Sequence, residues 1–478
     1  MERIKADDLY AYWFLSEVAV APDGAHAAFV SRRARDDGKG YYACIHLLDT
    51  ATGAVRPLTG NGDEASFRWL DATTLIFPSC RTGDQPGKTA FYRLDIRGGE
   101  AERAFTIPLS VKQFHPLPDG RWFILTRRPM TSPEDLPADQ PQPGRDYTVF
   151  DELPFWADGL GMINGTRMSG WIFDPADGSV NQITPPTYDM EGAAVSPEGS
   201  RILYWGVSFE GIRPDYRQLM LYDLATGQTR SLVPDGKYRI TQVGWWGTDI
   251  WFEGGDPHTS VSRSPKLYLL NPATGDCRTF CAPDGFLGTS AIGDMSLGGG
   301  KVCAVQGDSL YAVRLQRDVT ALLRFDKAGN FAPVASYEGI ACFDIIGENA
   351  YLAAFRDHRP QELYRQPLSG GEPERLTQFH DAFLETRQIS RPEHITFRSR
   401  DGQEVDGWVI RPSGYEPGKK YPGVLNIHGG PKAAYGSQYY HEMQLLAAGG
   451  RFVFYTNPHG SDGRGQDYFD LVGRWGTI

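Results

Sequence analysis

A hairpin signal that recurs seven times along the first 390 residues constrains this fold more than any other feature. In each copy an apolar strand is followed by a Gly-containing turn and a second strand. Residues 47–53 (Leu-Leu-Asp-Thr-Ala-Thr-Gly) and 221–227 (Leu-Tyr-Asp-Leu-Ala-Thr-Gly) are typical copies. The other five copies begin at residues 93, 172, 269, 324 and 365. Self-similarity of this kind predicts a repeat architecture built from strands.

The spacing of the repeat indicates which architecture this is. A second turn signal, clearest where it reads Pro-Asp-Gly or Pro-Glu-Gly, precedes each copy, so each unit holds two hairpins and four strands. Equivalent positions are 46 residues apart from Asp49 to Asp95 and 48 residues apart from Asp223 to Asn271. A four-stranded propeller blade takes roughly 40–50 residues. We therefore predict an all-β, seven-bladed β-propeller over residues 1–390. A β-sandwich, the alternative, shows no such period.

One repeat interval is much longer than the others, since 79 residues separate Asp95 from Asp174. The excess lies near residues 129–158, which hold six prolines and seven acidic residues against one basic residue. This composition predicts an insertion on the propeller. Residues 147–156 of the insertion are rich in aromatic side chains, so we expect this part to dock against the protein.

The repeat stops near residue 391, and the residues after it have the pattern of an α/β domain. Two alternating strands form a hairpin, and two continuous apolar strands of the kind buried on both faces flank a Gly-rich loop and a helix. These elements lie, in chain order, at residues 394–399, 405–410, 423–427, 439–448 (the helix) and 451–456. Strand, loop, helix and strand in this order form a βαβ crossover.

Composition excludes several classes of function. The net charge of −11 leaves no global basic surface for nucleic acid or an anionic membrane. Acidic side chains such as Asp7, Asp8 and Glu17 interrupt the first 20 residues, which is unlike a signal peptide. The six cysteines include one Cys-x-x-x-Cys pair and no second half of a zinc site. We therefore predict a cytoplasmic protein without nucleic-acid, membrane or metal partners.

Three motifs lie in the last 60 residues: residues 421–431 (Tyr-Pro-Gly-Val-Leu-Asn-Ile-His-Gly-Gly-Pro), 457–465 (Asn-Pro-His-Gly-Ser-Asp-Gly-Arg-Gly) and 473–476 (Gly-Arg-Trp-Gly). They resemble the prolyl oligopeptidase family of serine peptidases, in particular its acylaminoacyl-peptidase and dipeptidyl-peptidase-like branches. The resemblance implies a propeller that caps an α/β-hydrolase domain, so residues 391–478 are expected to be the incomplete start of that domain. The family usually has Arg where this chain has His459, and the role of that position stays open.

The family's reaction is acyl transfer from a peptide, which needs a nucleophile, a base and donors for the developing oxyanion. The resemblance implies that the Gly430 N–H is one donor. The alternative is that Gly429 and Gly430 only form the turn between a strand and the helix that follows it. No serine here has the two flanking glycines of a Gly-x-Ser-x-Gly nucleophile elbow. We therefore expect an N-terminal fragment of a longer serine peptidase, inactive alone, with the nucleophile, acid and base outside this chain.

The resemblance also implies a substrate-binding role for the insertion, because propeller acids bind the substrate amino group in some relatives. The candidates are Asp151, Glu152 and the neighbouring Trp156; the alternative is a solvated acidic loop. The expected partners are short peptides, which the propeller admits to the active site, and no cofactor is implied. The alternative function is a non-catalytic propeller that serves as an interaction scaffold, or a pseudo-enzyme.

Overall fold

The computed structural model of the protein describes residues 1–81, 83–130, 149–288, 291–430 and 432–471. Residues 14–375 form seven antiparallel sheets of four strands, here called sheets 1 to 7 in chain order. Strand β1 (Glu2–Arg3) and a short 3-10 helix (Ala6–Ala11) precede them. A four-stranded mixed sheet follows them, here called the C-terminal sheet.

The strands of the seven sheets are as follows. Sheet 1 holds β2 (Phe14–Val20), β3 (His26–Ala34), β4 (Tyr41–Asp49) and β5 (Val55–Pro57), and sheet 2 holds β6 (Arg68–Trp69), β7 (Thr74–Pro78), β8 (Thr89–Asp95) and β9 (Glu102–Ile107). Sheet 3 holds β10 (Gln113–Pro116), β11 (Trp122–Pro129), β14 (Thr166–Phe173) and β15 (Val180–Gln182), with the small hairpin β12 (Trp156–Ala157) and β13 (Gly161–Met162) between β11 and β14. Sheet 4 holds β16 (Tyr188–Val195), β17 (Arg201–Ser208), β18 (Gln218–Asp223) and β19 (Thr229–Ser231). Sheet 5 holds β20 (Arg239–Trp246), β21 (Asp249–Gly255), β22 (Lys266–Leu270) and β23 (Cys277–Cys281). Sheet 6 holds β24 (Cys303–Gln306), β25 (Ser309–Gln316), β26 (Val319–Phe325) and β27 (Phe331–Tyr337), and sheet 7 holds β28 (Gly339–Ile346), β29 (Asn349–Phe355), β30 (Glu362–Pro367) and β31 (Glu374–Arg375).

The repeated hairpin signal corresponds to the turn between the third and fourth strands of a sheet. In sheet 1, Asp49 accepts hydrogen bonds from the backbone N–H groups of Ala51 and Thr52 at 3.1 and 2.8 Å. Asp223 and Asn271 make the same pair of bonds in sheets 4 and 5. A short side chain that accepts from the backbone two or three residues ahead fixes such a turn, which is why the signal is so regular.

Apolar side chains join the seven sheets in a cyclic order. Each sheet shares a buried cluster with the next sheet along the chain. The seventh cluster joins sheet 7 back to sheet 1, where Phe29 and Leu48 pack with Tyr351 and Leu363. Side-chain hydrogen bonds cross the same junction, such as the 3.0 Å bond from Val20 N to the Asp344 carboxylate. The sheets therefore form a ring whose first strands face a shared central cavity.

The C-terminal sheet contains β33 (Pro392–Arg398), β34 (Glu404–Ile410), β35 (Gly423–Asn426) and β36 (Phe452–Asn457) in the order β33-β34-β36-β35. Strands β35 and β36 are parallel, and the other neighbours are antiparallel. The remaining elements are α1 (Asp381–Thr386), β32 (Arg387–Gln388), α2 (His441–Ala448) and α3 (Gln466–Asp470). The βαβ crossover predicted from the sequence is thus β35, α2 and β36. In the described ranges no helix is long and apolar enough to cross a membrane.

The two faces of the C-terminal sheet differ. On one face, Trp408 and Tyr455 pack with Met443 of α2 in a buried cluster. On the other face, Leu425 is 56% exposed and Phe397 is 39% exposed. The prediction that β35 is buried on both faces is therefore wrong for this structure, because no described element covers the second face.

Replacement of Phe29 by Ala tests the junction that closes the ring. Phe29 is fully buried between sheets 1 and 7, and loss of a buried Phe side chain costs about 3–5 kcal/mol. We expect a clearly lower midpoint of urea unfolding by tryptophan fluorescence. Tyr41→Ala is the control because Tyr41 lies in the same sheet but is 52% exposed. Equal midpoints for the two variants would contradict the role given to this junction.

Candidate functional site

Two loops meet where the parallel strands β35 and β36 end. One is residues 427–430, here called the Gly loop, and the other is residues 458–465. His428 Nε2 lies 3.1 Å from Ser461 Oγ, and Asp462 N donates to Ala433 O at 3.1 Å. In open sheets that contain parallel strands, ligands bind beyond the carboxyl ends of those strands. The meeting point of the two loops is therefore the candidate site.

Gly430 occupies a position in the Gly loop that favours glycine. Its φ is +139°, and a Cβ atom there would lie 3.0 Å from Lys432 N and 3.2 Å from Ala433 Cβ. Gly430 is exposed, and within the described ranges its N–H has no hydrogen-bond acceptor. Backbone without a Cβ allows close approach of a ligand. The geometry thus provides an exposed backbone donor that is free to bind an oxygen atom.

Lys432 anchors the residues just after the Gly loop to sheet 5. Its ammonium group donates to Ser262 O at 2.7 Å, Ser264 Oγ at 3.1 Å and Gln466 Oε1 at 3.3 Å. It also lies over the ring of Phe286. All three acceptors are neutral oxygen atoms, and burial lowers the pKa of Lys432. One side chain therefore connects the Gly loop, the ring and α3.

Asp406 makes a second connection between the ring and the C-terminal sheet. Its carboxylate is 1% exposed and accepts from Arg317 at 2.6 and 2.9 Å. His394 Nε2 and Arg464 Nε lie 3.0 and 3.2 Å from the same carboxylate. Burial raises the pKa of Asp406, but the hydrogen bonds from Arg317 and His394 outweigh this effect and hold the pKa below its usual range. The ion pair therefore stays charged at neutral pH.

One edge of the ring faces the C-terminal sheet. Ser262, Arg317 and His358 lie on the connections between the second and third strands of sheets 5, 6 and 7, respectively. All three contact residues that follow residue 391, and His358 does so through a 2.8 Å hydrogen bond between its Nδ1 and Ser437 O. Because these are equivalent positions in successive sheets of the ring, the second-to-third connections leave at the same edge. The long connection of sheet 3, of which the structure describes residue 130 and residues 149–165, belongs to this edge too.

The described part of the sheet-3 connection docks against sheet 4. Leu153 N donates to Gly211 O at 2.9 Å, and Arg213 N donates to Leu153 O at 2.8 Å. Gly211 and Arg213 lie on the second-to-third connection of sheet 4. The aromatic-rich part of the predicted insertion is therefore attached to the protein from residue 149 onward. Tyr147, which the sequence assigned to the same aromatic group, lies outside the described residues.

The two adjacent acids of the insertion have different surroundings. Glu152 is buried, and Arg167 donates to its two carboxylate oxygens at 2.6 and 3.0 Å. Gly165 N donates to the same group at 2.8 Å. In this structure Glu152 is thus not the free carboxylate that the sequence led us to expect, because its charge is already paired. Asp151 is exposed and accepts one 3.1 Å hydrogen bond from Asn164.

Trp156 is 53% exposed and belongs to an apolar surface on the same edge of the ring. Seven large apolar side chains of the sheet-3 connection and one from sheet 4 are exposed there: Val149, Phe150, Leu153, Phe155, Trp156, Leu160, Met162 and Ile212. Monomeric proteins seldom expose so many apolar side chains in one segment unless the surface binds something. Trp156 and Asp151 are therefore both exposed on the sheet-3 connection, whose apolar surface can receive a partly apolar ligand.

His459 lies beside the candidate site and contacts the hairpin of β33 and β34. Its Nδ1 is 3.5 Å from an Asp401 carboxylate oxygen, and its Nε2 is 3.4 Å from Ser399 Oγ. Its ring packs edge-on against Tyr468. These contacts hold the loop that follows β36. Across the described residues, no group of three potential metal-ligating side chains is present.

Comparisons with known proteins give relatives along most of the chain. The uncharacterized peptidase YuxL of Bacillus subtilis is 29% identical over 98% of this chain and 73% of its own length. Dipeptidyl-peptidase 5 of Arthroderma otae is 33% identical over 95% of this chain and 67% of its own length. The chain belongs to the prolyl oligopeptidase family of peptidases. No family model matches the chain.

Solved structures in this family share the fold. The acylaminoacyl peptidase of Pyrococcus horikoshii superposes with a TM-score of 0.77 at 20% identity, over 99% of this chain and 69% of that chain. Puromycin hydrolase gives a TM-score of 0.66 at 16% identity, over 100% of this chain and 72% of that chain. The arrangement of sheets described above is therefore one that peptidases of this family adopt.

Two contacts of this family member were missed by the sequence analysis. Lys432 follows the Gly loop directly, but nothing in the sequence indicates that its ammonium group reaches Ser262, 170 residues earlier. Asp406 and Arg317 are 89 residues apart. The one available signal is that Asp406 is followed by four apolar or small residues to the end of β34, because a charge in such a stretch needs a partner if the strand is buried.

We expect Lys432→Met to loosen the Gly loop. The change removes three charge-assisted hydrogen bonds, each worth roughly 1.5–3 kcal/mol, and leaves the acceptors on the ring without a donor. Hydrogen–deuterium exchange of residues 427–436 should become at least about tenfold faster, since about 1.4 kcal/mol corresponds to a factor of ten in the local opening equilibrium. Lys419→Met, in an exposed turn, is the control. Unchanged exchange in Lys432→Met would show that the loop does not depend on this anchor.

Proposed function

We propose that this chain is part of a serine peptidase that hydrolyses short peptides, of aminopeptidase, dipeptidyl-peptidase or acylaminoacyl-peptidase type. In this proposal the ring of seven sheets is the seven-bladed propeller predicted from the sequence, and it restricts access to the active site. Residues 391–478 are the first part of the α/β-hydrolase domain. The observation that carries the proposal is the exposed N–H of Gly430 beyond the carboxyl end of β35, for which the described residues provide no acceptor.

The Gly430 N–H fits the role of an oxyanion donor. When a serine hydroxyl attacks the scissile carbonyl, its proton passes to a base and negative charge develops on the carbonyl oxygen. A fixed donor aimed at that oxygen lowers the barrier by roughly 2.7–4 kcal/mol. The anchoring of the Gly loop by Lys432 supports this role, because a donor must be held in place to be effective. The proposed mechanism uses no metal or organic cofactor.

The nucleophile, its base and the orienting acid are assigned to residues that are not among these 478, since no Gly-x-Ser-x-Gly sequence is present. The cytoplasm remains the proposed compartment because all six cysteines are free thiols.

Substrate recognition is assigned to the sheet-3 connection. Asp151 would hold the free α-amino group of a peptide by a charge-assisted hydrogen bond, and Trp156 would contact an apolar side chain. Glu152 would act beside Asp151 by fixing the connection on Arg167 rather than by touching the peptide. The location of these residues on the ring edge that faces the C-terminal sheet supports this assignment.

The 478 residues alone are expected to show neither peptidase nor esterase activity. A fluorophosphonate probe and chromogenic aminoacyl and acylaminoacyl substrates provide the measurement. The full-length natural protein is the positive control, and it should react with the probe at one serine. Probe labelling of a serine in the 478-residue chain would overturn the assignment of the nucleophile. A full-length protein that neither reacts nor hydrolyses would favour the alternative of a non-catalytic scaffold.

Asp151→Asn in the full-length enzyme should raise the KM for peptides with a free N-terminus by roughly tenfold. This factor corresponds to the loss of about 1.4 kcal/mol from one charge-assisted contact. N-acylated peptides carry no ammonium group, so their KM should not change. Glu152→Gln is the matched comparison, since its buried side chain should affect both substrate types alike. Equal effects of Asp151→Asn on both types would place Asp151 outside the substrate site.

A further inference from the structure

The centre of the ring holds a cavity of about 800 Å³ that the proposed mechanism does not use. The first strands of six of the seven sheets, or residues next to them, line it. Cavities of roughly 300–1,000 Å³ are the size that binds small molecules in proteins. This cavity lies inside the ring, apart from the Gly loop and the sheet-3 connection.

The cavity wall carries more positive than negative charge. Its charged side chains are Arg68, Lys112 and Lys301 against Glu17 and Asp344. The chain as a whole has a net charge of −11, whereas the charged side chains of the cavity wall have a positive sum. Charges of one sign in a concave, protein-walled space focus the electrostatic potential and raise the local concentration of counter-ions.

The cationic groups in the wall are reachable from the cavity. Lys301 lies 3.0 Å from Asp344 and its side chain is 55% exposed, and Arg68 lies 3.5 Å from Glu17 and is 33% exposed. Lys112 is exposed and forms no ion pair with any residue in the described part of the chain. Two cations are thus balanced by acids, and the third supplies the excess charge.

A neutral histidine completes the wall. His115 lines the cavity, and its Nε2 atom is buried without a hydrogen-bond partner among the described residues. Burial lowers the pKa of His115 to about 3, so the ring is neutral at physiological pH. A neutral imidazole can present an N–H to an acceptor. A buried polar atom without a partner is costly and is commonly satisfied by a bound group.

We propose that the central cavity of the ring binds a small oxyanion, a carboxylate or a phosphate, through Lys112 with support from Lys301 and Arg68. A lysine side chain has a flexible four-carbon stem and three donors, so lysines from different sheets can reach one anion. Two sources supply this chemistry: the C-terminal carboxylate of a peptide, and a free inorganic anion. A cation is disfavoured because the acids in the wall are already paired.

Isothermal titration calorimetry on the 478-residue chain tests the site. The titrants are inorganic phosphate, acetyl-trialanine with a free carboxylate and acetyl-trialanine amide, at neutral pH and constant ionic strength. The acetyl group removes any contribution from an amino-terminal site. We expect the chain to bind phosphate, the peptide carboxylate or both, and not the amide. Binding of the carboxylate identifies a peptide end as the source, and binding of phosphate alone identifies a free anion.

Lys112→Gln should weaken binding at least about fivefold. This factor corresponds to the loss of about 1 kcal/mol from one partly exposed charge contact. Lys301→Gln should weaken binding at least as much, because it removes one cation and also leaves the Asp344 carboxylate in the wall without its partner. Lys39→Gln, in an exposed turn of sheet 1, is the control and should bind like the unmodified chain. No binding by the unmodified chain, equal binding of the amide, or equal weakening in Lys39→Gln would each overturn the proposal. None of these outcomes bears on peptidase activity, so the proposed function is tested separately.

Discussion

Sheets 1 and 7 are joined by side chains, because every sheet of the ring is built from its own stretch of the chain. In such a ring the last junction has no shared strand, and its stability comes from apolar packing around Phe29 and from bonds such as Val20 N to Asp344. The other elements depend on this closure. The second-to-third connections share one edge, and the first strands enclose one cavity, only while the ring remains closed.

The C-terminal sheet is fixed to that edge by charged groups. Asp406 is buried among three cationic or potentially cationic partners, of which Arg317 belongs to the ring. Removal of one partner from a buried ion pair costs about 3–5 kcal/mol, because a charge is left without compensation. Lys432 adds a second contact whose acceptors are neutral. These two contacts, the His358–Ser437 hydrogen bond and the packing of Tyr439 with Phe14 and Phe355 together fix the position of Gly430 relative to the ring.

The difference between local and long-range contacts explains what the sequence could predict. The hairpin turns depend on local hydrogen bonds such as those of Asp49. Their positions and the number of four-stranded units could therefore be predicted from the spacing of the repeated signal along the sequence. The Gly loop and the crossover were also readable, because a glycine at φ +139° has a strong local requirement. The partners of Lys432, Asp406 and Glu152 were not, since each lies in another element and no periodic pattern records such a pairing. The prediction that β35 is buried on both faces was wrong for the same reason. Burial depends on what covers the sheet, and composition does not determine this.

Glu152 shows how a paired charge changes the chemistry of its neighbours. With Arg167 donating to both of its oxygens, Glu152 contributes little net charge to the surface of the sheet-3 connection. Asp151 therefore determines the sign of the local potential beside Trp156, even though the two acids are adjacent in sequence. The buried pair also fixes the backbone that carries Asp151, since Glu152 is bound by Gly165 N at the far end of the same connection and by Arg167 in β14. A carboxylate held in this way is preorganised, and binding to it requires less loss of conformational entropy than binding to an acid on a free loop.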